Sequence, residues 1–339
     1  MMFLGLLRRL SGGERIERGA QARDSADRGG GGGVGMGAGE GRGAGPPRAA
    51  VVTGCSSGIG AALCAELARR GVRVFALGRD PAGLRGLEGE GGGEGGVVAL
   101  RADVREPRSL EAAFAEAARR APEGRIDLCV ANAGVSGCGA LAVQEHRTIQ
   151  AIFDTNVVGA CATLQVAARH MLEQERRGPG GLRGVIAVTG SVTSEVHMPW
   201  AAAYCASKAA IKSLCRTASL ELEPFGVRVT HLYTGAVRSK IADNALARDP
   251  LATYDAPENP YHRYAAAIRG RAQVSQGKAA WTAERYARDV AEQLLAPRPP
   301  REIVAGGGAR ALRLFARTLP SRLQDFIACR RFGLSSRRH

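Results

Sequence analysis

Residues 49–60 read Ala49-Ala50-Val51-Val52-Thr53-Gly54-Cys55-Ser56-Ser57-Gly58-Ile59-Gly60, and an Ala/Leu-rich stretch follows to residue 70. The first five residues are small or β-branched and predict a strand buried on both faces. Residues 58–70 carry helical spacing. Three glycines mark the junction between the two. Gly54 permits the turn, Gly58 lets backbone approach a diphosphate, and Gly60 allows the helix to pack closely on the strand. The helix amino terminus then faces negative charge.

Outward from this junction the alternation continues. VRVFAL (72–77) predicts the second strand and VVAL (97–100) the third, after a Gly-rich loop at 86–96. A helix is expected over 107–121, a strand at 126–131 and one long helix over about 144–176. GVIAVT (184–189) predicts a strand, 201–224 a helix and VRVTHL (227–232) a further strand. A helix at 281–296 and a short strand at 301–304 complete the pattern. Such alternation means βαβ crossovers. The expected fold is α/β: a single doubly wound, Rossmann-type parallel sheet with helices on both faces and a ligand crevice at the strand carboxyl ends.

The chain has 339 residues, 45% hydrophobic and 23% charged, enough to bury a large core. The eight cysteines are scattered without a C-x-x-C pair, which predicts reduced thiols and no metal site. No apolar run reaches the ~18 residues of a bilayer-spanning helix. The net charge of +15 is uneven: residues 298–339 hold ten Arg against Glu302 and Asp325. Charge concentrated in a tail with apolar spacing argues against nucleic acid and for anionic lipid or phosphate. Residues 1–47 read as a flexible, Gly-rich extension, with an organellar presequence as the alternative; Glu14, Glu17, Asp24 and Asp27 count against it. Residues 48–305 read as one Rossmann-type domain, in which 235–280 break the alternation and read as a substrate lid. Residues 306–339 form a basic amphipathic tail.

The end of the second strand bears on the cofactor. An acid there would accept bonds from an adenosine ribose, but the chain has Gly78-Arg79-Asp80. Arg79 can fork onto a 2′-phosphate, which favours NADPH; a slip of one position would put Asp80 on the ribose. Further on, Tyr204 and Lys208 stand four apart at the start of a helix, on one face. A neighbouring ammonium lowers a phenol pKa near 10. Ser191 lies just past a strand end and can bond a carbonyl oxygen. The set suits reduction of a ketone, with the hydride from the cofactor, the proton from Tyr204 and the oxygen oriented by Ser191.

These residues give the chain a resemblance to the short-chain dehydrogenase/reductases over about 49–305. TGCSSGIG (53–60), Asp103-Val104, Asn132-Ala133-Gly134, Asn156, Ser191 thirteen residues before Tyr204, and Lys208 occur in the family's order. The resemblance implies a nicotinamide cofactor cradled by Thr53, Gly54, Ser56, Ser57, Gly58, Ile59 and Gly60. It implies that Asp103 and Val104 sit at the adenine, that Asn132, Ala133 and Gly134 support sheet and cofactor, and that Val237 follows at the nicotinamide side. It also implies that Asn156 holds a water in a proton relay through Lys208 to Tyr204. Thr234-Gly235 stands where most members have Pro-Gly, and Ala131 where many have Asn.

A narrower resemblance lies in the lid and tail. Thr234-Gly235-Ala236-Val237, Ile241-Ala242-Asp243-Asn244, Tyr254-Asp255-Ala256-Pro257 and Gly306-Gly307 are similar to the NADPH-dependent 1-acyl-dihydroxyacetone-phosphate reductases. The core is also similar to 17β-hydroxysteroid and retinol dehydrogenases. The resemblance implies reduction of a lipid-like ketone by NADPH. Arg238 and Lys240, or His262 and Arg263, are the candidates for a substrate phosphate. A non-catalytic, cofactor-binding scaffold is the contrasting class, against which intact Ser191, Tyr204, Lys208 and Asn156 argue. A homodimer or tetramer through the two long helices is expected, as is an intracellular, cytoplasmic location. In the tail, Leu312, Phe315, Leu319, Leu323, Phe326 and Ile327 recur at helical spacing on one or two short helices, the second starting at Pro320. That stripe either lies in a membrane interface, of endoplasmic reticulum or lipid droplet, or packs on the catalytic domain.

Overall fold

The computed structural model describes residues 47–87, 96–177, 181–241 and 251–334. Nearly all of the N-terminal extension, most of the Gly-rich loop at 86–96, and Ala242-Asp243-Asn244 of the lid lie outside the described residues. Seven parallel strands form one sheet: β1 (Ala49–Thr53), β2 (Arg73–Gly78), β3 (Gly96–Arg101), β4 (Leu128–Ala131), β5 (Gly184–Thr189), β6 (Val227–Thr234) and β7 (Glu302–Ala305), in the order β3-β2-β1-β4-β5-β6-β7. The order reverses between β1 and β4, the switch point where doubly wound sheets bind ligands.

Helices α1 (Gly58–Arg69), α2 (Pro107–Arg120), α3 (His146–Phe153), α4 (Ala160–Glu173), α5 (Ala202–Leu222), α6 (Ala265–Ala272), α7 (Ala283–Leu294), α8 (Ala309–Thr318) and α9 (Ser321–Arg331) complete the chain. The alternation of side chains along β1 divides the core in two. Ala49 and Val51 join Phe114, Met171 and Ile211 on the face covered by α2, α4 and α5. Ala50 and Val52 join Leu63, Tyr286 and Leu294 on the face covered by α1 and α7.

Three sequence expectations change. The single helix over 144–176 is divided by a π-helical turn at Asp154–Gly159, a device common beside functional sites. Its helical run, His146–Glu173, is apolar enough to cross a bilayer by length and composition, yet much of it is buried within the protein. Strand β6 runs to Thr234, two residues past its expected end, because β7 pairs along it from His231 to Thr234. The lid is not structureless: it contains α6 and short 3-10 segments at Leu251–Asp255 and His262–Tyr264.

The tail forms two helices that meet at Pro320. Leu312 packs with Ala309, Val192 and Tyr233 at the sheet edge. Arg313 pairs with Glu302, and Arg317 pairs with Glu195 at 3.3 Å. Phe332 and Leu334 enter a cluster with Trp200, Leu251, Tyr254 and Ile268 of the lid. Of the stripe, Leu323 and Phe326 stay exposed, as does Leu314 beside them. One part of the tail thus packs on the catalytic domain, and another, with Leu314, Leu323 and Phe326, faces solvent.

Candidate active site

A cleft of about 610 Å³ opens at the carboxyl ends of the central strands. Gly54, Ser56, Ser57, Gly58, Ile59 and Gly60 form one wall of it. Gly54 and Gly58 are left-handed, at φ 71° and 61°, a conformation that side chains disfavour. A Cβ on Gly60 would stand 2.2 Å from the Gly54 carbonyl oxygen and 2.7 Å from Asn132 Nδ2. The loop is therefore closed against its own support. No acid lies in the first turn of α1, and the Ser57 side chain makes no cap there. Its first amides are left for a ligand, and these groups fit the diphosphate of a dinucleotide.

At the far end of the cleft stand Arg79, Asp103, Val104 and Arg105. Asp80, the alternative to Arg79, is turned away and accepts from the Ala82 amide at 2.9 Å. Arg105 grips Asp103 with both Nε and Nη2, at 3.0 and 2.5 Å. That bond holds the Asp103 carboxyl below the usual carboxylate range, with help from the Arg79 charge. Arg105 was not anticipated from the sequence; its only signal was its place two residues after Asp103.

Two predicted residues lie behind the cleft rather than along it. Thr53 is 1% exposed; its Oγ1 accepts from the amides of Asn132 at 3.0 Å and Ala133 at 3.1 Å. Asn132 Nδ2 donates back to the Thr53 carbonyl at 3.0 Å, so β1 and the Asn132–Gly134 turn are locked together. Asn156 sits in the π turn, 1% exposed. Its Oδ1 accepts from the Val135 amide at 2.8 Å, and its Nδ2 donates to the Val135 carbonyl at 2.9 Å and to Ser207 Oγ at 3.1 Å. Asn156 thereby clamps the loop after β4 to α5. Gly134 lies where a Cβ would be 3.3 Å from Asn156 Oδ1 and 3.8 Å from Lys208 Nζ.

Ser191, Tyr204 and Lys208 line the same cleft, with Val237 and Thr234 beyond them. Ser191 caps a 3-10 turn: its Oγ accepts from the Thr193 amide at 3.2 Å and from Thr193 Oγ1 at 3.0 Å. Both lone pairs are thus occupied, and the Ser191 proton is left to donate. Lys208 Nζ donates to the Thr189 carbonyl at 2.8 Å and lies 5.8 Å from the Tyr204 ring centroid. Burial pushes Lys208 down to about 8.

Burial also raises the Tyr204 hydroxyl above the ordinary phenol value, while Arg271 and the Ser191 hydroxyl pull it back. This modifies the sequence expectation. The strongest downward pull on Tyr204 comes from Arg271 of the lid, not from Lys208. Of the residues considered for a substrate phosphate, Lys240 reaches the cleft wall, with Ser239 and Ser275. Arg238 is exposed, the His262 ring bonds the Tyr254 carbonyl, and Arg263 lies over the Tyr264 ring at 4.7 Å. His262 and Arg263 are thus engaged elsewhere, and none of the three lines the cleft.

Comparison with known proteins bears on the family and the fold. The profile of the family described as short chain dehydrogenase matches residues 48–249. An uncharacterized oxidoreductase of Myxococcus xanthus is 40% identical over 200 residues, 57% of this chain and 74% of that protein. Human 17-beta-hydroxysteroid dehydrogenase type 1 is 32% identical over 260 residues, 74% of each chain. The NADPH-dependent 1-acyldihydroxyacetone phosphate reductase of Saccharomyces cerevisiae is 28% identical over 292 residues, 85% of this chain and 92% of the relative. Among solved structures, a short chain dehydrogenase/reductase from Burkholderia phymatum in complex with NAD superposes with a TM-score of 0.64 at 25% identity, covering 83% of this chain and 95% of that one.

Proposed function

The chain belongs to the short-chain dehydrogenase/reductase family, an oxidoreductase acting between CH–OH and C=O with a nicotinamide cofactor, and from that premise we propose that it reduces the ketone of a lipid-like substrate with NADPH. The substrate we favour is 1-acyl-dihydroxyacetone phosphate. The observation that carries the reading is the convergence of Ser191, Tyr204 and Lys208 on the cleft that also holds the glycine loop and Arg79.

The glycine loop and the α1 amides would hold the diphosphate, Arg79 a 2′-phosphate, and Lys208 the ribose hydroxyls. When bound, the cofactor supplies the hydride. The chain's own residues do the rest. Ser191 would turn its proton from the Tyr204 oxygen to the carbonyl oxygen and fix the ketone. Tyr204, kept protonated by its burial, delivers the proton that completes the alcohol. Asn156 and Thr53 hold the loops that set these distances, and the lid excludes water. The retracted Asp80 supports NADPH over NADH. So does the S. cerevisiae relative, named as NADPH-dependent and aligned along most of this chain.

A second reading keeps the chemistry and changes the substrate. Trp200, just before the helix that carries Tyr204, joins Tyr254, Ile268 and Phe332 in a buried apolar cluster, and apolar surroundings of this kind would suit a steroid or retinoid ketone as well as an acyl chain. Pairing of two copies through α4, the π turn before it and α5 is supported by the exposure of Val158, Leu172 and Leu220. A turnover screen decides between the substrates. Full-length protein is assayed with NADPH and NADH against acyl-dihydroxyacetone phosphate, a 17-ketosteroid and retinal. Faster turnover of the phosphorylated ketone with NADPH is expected. Higher kcat/KM for the steroid or retinal would transfer the assignment to the second reading, and NADPH binding without any turnover would make the protein a scaffold.

A further inference from the structure

Arg271 lies in the last turn of the lid helix α6 and is only 8% exposed. Its Nε is shielded from solvent and has no hydrogen-bond partner, and no ion pair involves it among the described residues. A buried guanidinium without a counter-ion is expensive. Folded proteins seldom leave such a group unsatisfied unless catalysis or a bound ion makes use of it.

Its location narrows that use. Ala265, Ile268 and Ala272 of α6 pack against Cys138, Ala140 and Trp200. Trp200 belongs to the segment that leads into Tyr204, so the helix is fixed beside the reacting end. The Arg271 charge is felt at both Tyr204 and Cys205. In this way α6 adds one positive charge to an otherwise apolar and aromatic cluster, just behind the residues that line the cleft. By contrast, the neighbouring Arg269 is exposed and pairs with Asp255. Residues two apart on a helix point to different sides, and here the inner one has no ion pair among the described residues and an unsatisfied Nε.

We propose that Arg271 is the specificity-determining residue that receives an anionic group, a phosphate ester or a carboxylate, carried on the substrate close to its carbonyl. This rests on the reductase reading and deepens it. In an acyl-dihydroxyacetone phosphate the phosphate ester is one carbon from the ketone. An anion bound by Arg271 would therefore place that ketone at Ser191 and Tyr204. The planar fork of the guanidinium matches two oxygens of either group. Neutralising Arg271 also removes the pull on Tyr204 and favours its protonated, proton-donating form.

The test uses NADPH-loaded full-length protein titrated calorimetrically with glycerol 3-phosphate, and separately with 3-hydroxybutyrate as the carboxylate probe. Arg271→Gln should weaken the preferred probe by about tenfold to a hundredfold, the scale of a charge-assisted bond. Arg271→Lys should recover part of the loss, and NADPH affinity and melting temperature should stay near the wild-type values. Unchanged probe binding in Arg271→Gln, or no binding of either probe by the wild type, overturns the proposal. A Lys variant as weak as Gln, together with a lowered melting temperature in both, would mark Arg271 as a prop of the lid and also overturn it. If the probes bind through Arg271 and no ketone is turned over, the reductase reading fails while this assignment stands.

Discussion

Lys208 Nζ donates to the Thr189 carbonyl oxygen at 2.8 Å, across the mouth of the sheet from α5 to the end of β5. The bond aims the ammonium into the cleft, and burial has lowered its pKa from 10.5 to about 8. Carrying the proton there costs about 3 kcal/mol at pH 7. Lys208→Met removes that cost and forfeits a hydrogen bond of about 1 kcal/mol, so the variant should be more stable by about 2 kcal/mol and nearly inactive. The pH dependence has a definite sign. Below pH 8 both folded and unfolded chains hold the proton, and the penalty is full. Between pH 8 and 10.5 the folded chain releases it first, and the penalty fades. Urea unfolding of the pair should thus favour the Met variant most below pH 8, and near pH 10.5 the wild type should be the more stable by up to about 1 kcal/mol, the hydrogen bond alone. A Met variant less stable than the wild type at pH 7 would contradict this.

Tyr204 is the assigned proton donor. Tyr204→Phe should lower kcat by at least about a hundredfold, the scale of general acid catalysis. The ring remains, so NADPH affinity measured by fluorescence should change little. Retention of most activity would remove Tyr204 from the role.

The strands and their order of helices were legible because buried parallel strands read as continuous β-branched runs, as AAVVT and GVIAVT do. The constellation of Ser191, Tyr204 and Lys208 was legible through its spacing. Arg271 was not. A helix in which Arg269 and Arg271 flank Gly270 gives no pattern that says which arginine is inside, and only the packing of α6 on Trp200 decides it. The π turn at Asp154–Gly159 was hidden for a related reason. One extra residue in a turn leaves the apolar spacing of the flanking helices intact on either side. The division of the tail between core and solvent depends on Phe332, which lies beyond the periodic stripe and carried no signal of its own.

Arg79 faces the cleft while Asp80 is held in a turn by the Ala82 amide. Arg79→Ala should weaken NADPH by roughly tenfold to a hundredfold, for the loss of a charge-assisted fork of about 1.5–3 kcal/mol. NADH should be nearly unaffected, since it has no 2′-phosphate. Dissociation constants of both cofactors for both proteins settle the point. An equal loss for the two would indicate damage to the loop, and no loss for either would remove Arg79 from the site.

The tail carries the last prediction. Leu314, Leu323 and Phe326 are 56%, 45% and 56% exposed. Arg310, Arg322, Arg330 and Arg331 stand on the same two helices without an ion pair among the described residues, whereas Arg313 and Arg317 are held by Glu302 and Glu195. Exposed apolar side chains among arginines that make no ion pair among the described residues, Arg330 lying over the Phe326 ring, suit the surface of an anionic membrane, where a lipid substrate would be met. Cutting the tail off at Gly308 would be a poor test, because it would also withdraw Phe332 from the lid cluster. The better variant is Leu314→Ser, Leu323→Ser and Phe326→Ser together, which leaves Leu312 and Phe332 in place. Wild-type protein should sediment with phosphatidylserine-containing vesicles, and less so as salt rises, since exposed charges are screened within about 10 Å at 0.1 M. The triple variant should lose most of that binding while its melting temperature and NADPH affinity hold. Vesicle binding that survives the three substitutions, or a wild type that never sediments, would show that these side chains do not meet a membrane, and a second copy of the chain would become the partner to test by sedimentation equilibrium.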